Sequence, residues 1–173
     1  MRLSWTFIFL SGIGVAEAFY HAWQENAFTT NWSVVSFSPY ASLVGIPYWV
    51  FGLVWFPLVL VVALWSTHLG RSGLVRELLI LLTVGNIFTA YLWYVDLEVI
   101  RAFTSAYVGL YLTNYALTAL VVIQNWSHEE MREFAAGTAI GMVIGAFFGA
   151  FGVAALGIAG GVLGAAGGYT STK

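Results

Sequence analysis

The sequence predicts an all-α integral membrane protein in which five transmembrane helices follow one another. Three observations carry that expectation. Of the 173 residues, 60% are hydrophobic and only 8% are charged, whereas ordinary soluble domains carry about 25% charge. The apolar residues fall into long continuous runs, and the few charges gather between them. Trp and Tyr sit near the ends of those runs, where amphipathic rings favour the membrane interface. The net charge is −2 and the chain has no basic run, so no nucleic-acid partner is expected. Cysteine is absent, which excludes disulfides, thiolate nucleophiles and thiolate metal sites within this chain.

The elements run in order. Leu3 to about Ala22 forms the first span, since about 20 apolar residues cross the hydrocarbon core. Its single leading Arg resembles a signal peptide, but the chain beyond it is more membrane, so a retained helix is expected. Trp23 to Gly45 is polar and turn-rich, with a short interfacial helix as one option. Pro47 to Trp65 is the second span, with proline in a first turn. Leu78 to Val95 is the third span, with Gly85 and Asn86 near its middle. Asp96, Glu98 and Arg101 mark a short turn. Ala102 to Ile123 is the fourth span, and Gln124 to Glu133 is a polar loop. Residues 1–125 thus form a four-helix unit, and residues 126–173 a polar loop with a glycine-rich fifth helix and tail.

That last segment repeats Gly137, Gly141, Gly145 and Gly149 at every fourth position. Small residues at this spacing let transmembrane helices approach closely. Phe134 to Tyr169 exceeds one untilted span. One span with a projecting tail is expected, the alternative being a break near Gly160-Gly161. Cytoplasmic loops of membrane proteins are enriched in Lys and Arg. Placing the N-terminus inside puts Arg2, Arg71, Arg76 and Arg132 on the cytoplasmic side of a cell membrane. The 23–45 loop and, after five spans, the C-terminus then lie outside. Asn31-Trp-Ser33 and Asn125-Trp-Ser127 are N-glycosylation acceptor patterns. Only Asn31 falls on the outer side.

Glu17 and His21 lie four residues apart on one helical face. With Asp96 and Glu98 they compose a candidate metal set of nitrogen and oxygen ligands near the outer face. Solvation, or an ion pair with Arg101, is the plainer reading of the same charges.

Three stretches carry a family resemblance. Tyr107-Val-Gly-Leu-Tyr-Leu112 resembles the helix that carries the redox Cys-x-x-Cys in vitamin K epoxide reductase (VKOR)-like membrane proteins. Ser38-Pro-Tyr, Gly45-Ile-Pro47 and Phe51-Gly-Leu53 resemble that family's approach to its second helix. Tyr91-Leu-Trp-Tyr-Val-Asp-Leu-Glu98 resembles the lead into its fourth. Together they cover about Leu3 to Ile123. The resemblance implies a four-helix bundle and a quinone pocket at which Tyr48, Thr104, Tyr107 and Tyr111 are the candidate residues. Thr104 and Tyr107 stand where the family has its two cysteines, and Tyr111 matches a quinone-contacting tyrosine. The second loop cysteine would fall near Trp32, and the first has no clear counterpart. A hydroxyl cannot form a reversible S–S bond, so the family's electron relay does not carry over.

Three readings of function remain. The leading one is a non-catalytic accessory subunit of a membrane complex, needing no cofactor and meeting other subunits through the glycine-rich helix as well as the bilayer. The second is a protein that keeps the pocket and binds a quinone or lipid. The third is a metal-dependent membrane enzyme built on Glu17, His21, Asp96 and Glu98.

Overall fold

The structure is a computed structural model that describes residues 3–27, 42–43, 46–69, 73–99, 101, 105–146 and 149–171. Its helices are α1 (Trp5–Ala27), α2 (Tyr48–Leu69), α3 (Gly73–Tyr94), α4 (Ser105–Gln124), α5 (Glu129–Gly145) and α6 (Gly149–Ser171). α3 runs directly into a π-helical turn, Val95–Val99. Before α2, β1 (Ser42–Leu43) and β2 (Ile46–Pro47) form a two-residue antiparallel pair with Ser42 opposite Pro47 and Leu43 opposite Ile46. α2 and α3 provide two stretches, Val50–His68 and Leu74–Leu97, that are long and apolar enough to cross a membrane. Pro57 lies inside α2, where neighbouring helices in a bundle tolerate it.

The first four helices close a ring. α1 packs on α2 and α4, and α3 packs on α2 and α4. The tightest packing gathers at one end, where Phe7, Val59, Leu78, Leu82, Leu117 and Val121 are fully buried. These come from the start of α1, the later part of α2, the start of α3 and the later part of α4, as antiparallel neighbours require. That end is also clasped by polar groups. The Ser4 N–H donates to Gln124 Oε1 at 2.9 Å, and Gln124 Nε2 donates to Ser4 Oγ at 2.6 Å. Side chains such as Phe9, Val61, Ile80, Ile87 and Leu112 point away from the bundle and are exposed. Hydrocarbon suits such a surface and water does not.

The glycine-rich segment differs from the single span expected of it. It forms two antiparallel helices, α5 and α6. The register is fixed by backbone contact: a methyl on Gly137 would overlap the Gly160 carbonyl, one on Gly141 the Leu156 carbonyl, and one on Gly164 the Glu133 carbonyl. Gly149 therefore opens α6 and does not continue the stripe on α5. The alternative, a break at Gly160-Gly161, is absent too, since both residues lie inside α6. The physical reason is that glycines at a spacing of four on both helices give each a groove for the other's backbone. The chain satisfies its own stripe. α6 runs back toward the start of α5.

The hairpin rests on the bundle at its base. Met131 and Phe134 join the buried cluster of Leu78, Leu82, Leu117 and Val121, with Ala165 packed against it. Arg76 on α3 bonds Glu130 at 3.3 Å.

Candidate functional site

The core of the bundle is apolar at the end described above and polar at mid-height. Four side chains from α2, α3 and α4 form one hydrogen-bonded chain. Trp55 Nε1 donates to Asn114 Oδ1 at 3.1 Å. Asn114 Nδ2 donates to Asn86 Oδ1, and Asn86 Nδ2 donates to Thr118 Oγ1 at 3.0 Å. The Thr118 hydroxyl donates to the Asn114 carbonyl at 3.1 Å. Trp55 reaches its partner because Gly85 leaves room for the indole ring. Such links hold transmembrane helices together where no hydrophobic drive exists between them.

Above this chain lies a cavity of about 280 Å³ lined by Phe51, Trp55, Phe88, Thr89, Leu92 and Tyr111, among others. Its aromatic walls are packed: Phe51 and Phe88 have centroids 5.3 Å apart, and Tyr111 is backed at 5.8 Å by Trp93, which does not itself line the cavity. Tyr111 is 6% exposed, and its hydroxyl donates to Asp96 Oδ2 at 3.3 Å. The π turn carries Asp96 back over α4 to make that bond. The arrangement can hold a flat apolar group against aromatic faces, with Thr89 and Asn114 as nearby polar atoms. It holds no thiol and cannot accept electrons as a dithiol does.

Of the residues expected at a quinone pocket, Tyr111 lines this cavity. Thr104 and the side chains of Tyr48 and Tyr107 lie outside the described residues, as does Asn31. The candidate metal set is divided. Thr113 Oγ1 donates to Glu17 Oε2 at 3.1 Å, while Tyr111 donates to Asp96. Residues two apart on a helix are separated by about 200°, so Glu17 and Asp96 meet α4 from nearly opposite faces. His21 is buried on α1, with its ring edge-on to Tyr20. The Glu98 side chain lies outside the described residues. Among the described residues no three His, Asp or Glu side chains form a metal-binding group.

The family model described as the vitamin K epoxide reductase family matches residues 5–122, more than half of the 173-residue chain. The chain belongs to the vitamin K epoxide reductase family. No curated protein and no solved structure matches. The VKOR match covers α1 to α4 and stops before α5, so the hairpin is an addition to the matched region. It covers the helices that build the Tyr111 cavity and none of the family's cysteines, because the chain has none.

A second, larger space lies on the other side of the α3–α4 pair, under the hairpin. It measures about 850 Å³ and is partly open.

The hydrogen-bonded chain and this second space are absent from the sequence expectations. Asn86 is visible as a polar residue inside an apolar span, and such residues are expected to find partners. Asn114 and Thr118, one turn apart on α4, carry the same signal. No sequence signal marks the larger space, which exists only because a hairpin folds back.

Proposed function

We propose that this VKOR-family chain is a non-catalytic membrane protein that binds a quinone-like apolar ring in the Tyr111 cavity and carries no thiol relay. The supporting observation is that a chain of this family without cysteine holds an aromatic cavity lined by Tyr111. A pocket of a few hundred Å³ with few convergent polar atoms suits one ring and not a whole lipid. In this reading Tyr111 and Thr89 orient the ring and Phe51 and Phe88 stack on it. No cofactor is needed for folding. The test is titration of the purified protein with menadione, followed by tryptophan fluorescence. Saturable binding is expected, with at least a tenfold loss of affinity in Thr89→Phe, which fills the cavity. Equal affinity in that variant, or dithiothreitol-dependent quinone reduction by the unmodified chain, would defeat the proposal.

The second reading is an accessory subunit of a larger membrane complex. Its support shifts from the glycine stripe, which α6 occupies, to the outward face of α5 with Ile140, Val143 and Ile144 exposed. A stoichiometric partner retained through purification from native membranes supports it; a monomer throughout counts against it.

We also propose a cell-membrane location with the N-terminus cytoplasmic. With the hairpin returning to its starting side, Arg2, Arg71, Arg76, Arg132 and Lys173 share that side. Five of the six basic residues are then cytoplasmic.

A further inference from the structure

The larger space runs along α3 from Thr83 to Leu97, about 21 Å at 1.5 Å per residue. Its far end is bounded by Trp93 and Tyr94, and its near end is roofed by Phe134, Thr138 and Met142 of α5. The space is partly open, and Trp93, Tyr94 and Leu97 line the end away from Phe134.

The walls specify the kind of occupant. Thr83 Oγ1 donates to the Leu79 carbonyl at 2.8 Å, and Thr138 Oγ1 donates to the Phe134 carbonyl at 2.8 Å. Asn86 and Thr118 bond each other. These hydroxyls and the Asn86 amide are bonded within their own helices or across the α3–α4 seam, and among the described residues no charged side chain lines the space. It calls for hydrocarbon and not for a head group. A partner helix does not fit: at about 10 Å diameter and 30 Å length it displaces roughly 2,400 Å³, against about 850 Å³ here. The space arises because α5 and α6 present small residues to it, Ala135, Thr138, Ala139 and Gly157. They are held in that posture by the glycine seam behind. The cleft is apolar and partly open, and lining atoms without neighbours forfeit their dispersion contacts, so the hydrocarbon of a bilayer is its natural occupant.

We infer that the cleft between the hairpin and the α3–α4 face seats one hydrocarbon chain of a phospholipid, entering at the Trp93–Tyr94 end with its head group at the membrane interface there. Aromatic residues of this kind mark the interface in membrane proteins. The site is separate from the Tyr111 cavity. Thr83, Asn86 and Trp93 face one side of α3, and Gly85, Thr89 and Leu92 face the other. The proposal therefore stands or falls independently of quinone binding.

The test is native mass spectrometry of the full chain released from nanodiscs made of palmitoyl-oleoyl phosphatidylcholine alone. One lipid per chain should survive activation that strips all the others. In Ala119→Trp with Ala139→Phe, which fills the cleft, the retained fraction should fall at least tenfold at unchanged helix content. Thr89→Phe should leave it unaltered. A second measurement needs no variant: a phosphatidylcholine with a photoreactive group on its chain should label peptides from 83–97, 115–126 and 134–142 of the unmodified protein. Loss of all lipids together, an adduct that persists in the filled variant, or labelling spread evenly over α1 and α2 would each overturn the inference. So would recovery from native membranes of an isoprenoid quinone in place of a phospholipid on the retained site.

Discussion

Replacing Gly141 by alanine tests the hairpin seam at its closest point. The added methyl would fall on the Leu156 carbonyl, with the Gly157 Cα close behind. A carbonyl bonded within its own helix cannot turn aside, so α5 and α6 must part by roughly 1 Å. A gap of 0.5–1 Å already forfeits about a quarter to a half of each van der Waals contact. Overpacking of this kind costs about 1–3 kcal/mol. The upper end applies here, because backbone meets backbone. Alanine returns about 1 kcal/mol of helix propensity. The net loss is about 2 kcal/mol, or roughly 30-fold in the folding equilibrium. Gly12 is the internal control, since a methyl there meets nothing within 4 Å. Gly12→Ala should be neutral or slightly stabilising. The assay is titration of the detergent-solubilised protein with sodium dodecyl sulfate, followed by far-ultraviolet circular dichroism. If Gly141→Ala unfolds at the same point as Gly12→Ala, the seam is not the close contact described, and the reasoning fails.

Four further outcomes are expected. Asn114→Leu strips partners from both Trp55 and Asn86 and should destabilise by about 1–3 kcal/mol in the same titration; a silent change would mean the polar chain is ornamental. Glu130→Ala removes an ion pair to Arg76, whose side chains are 41% and 19% exposed for Arg76 and Glu130 in turn, and should cost no more than about 0.5 kcal/mol. That cost should vanish in high salt. Arg101 has a backbone φ of 53°, a region that disfavours branched side chains, so Arg101→Val should lose at least about 1 kcal/mol relative to Arg101→Gly. Ser127 and Arg101 are both exposed, and single cysteines placed there should be labelled by an impermeant reagent from opposite sides, Arg101→Cys from outside intact cells; equal labelling would reject the proposed orientation.

The helices of the bundle are legible because a continuous apolar run is its own signal. α2 begins at Tyr48, one residue from the expected Pro47, and α4 ends at Gln124, one residue past the expected Ile123. The π turn reads only as a turn, since Val95–Val99 carries no sequence mark of its unusual winding. The hairpin escapes the sequence for a physical reason. Gly145-Ala-Phe-Phe-Gly149 contains no polar residue, and a reversal without polar residues looks like continuous helix. Tyr111 is identified through its motif, and the cavity it lines requires α2 and α3, whose contributions no motif announces. Glu17 and Asp96 look like neighbours because both lie near span ends. The rotation between Tyr111 and Thr113 around α4, invisible without the helix pairing, separates them.

The clasp between Ser4 and Gln124 bears on the order of events at synthesis. Its two halves are 120 residues apart, and the ring of α1 to α4 cannot shut until Gln124 has left the ribosome. Chains fold from the N-terminus as they emerge, so the ring is able to close while the hairpin is still being made. The hairpin then arrives as a pre-paired unit whose strongest contacts are with itself, and docks on a finished wall. The same clasp brings the two ends of the ring together, the arrangement that tolerates circular permutation. A chain reopened in the α2–α3 connection, with Gln124 joined to Ser4 by a short linker, should still assemble the four-helix ring.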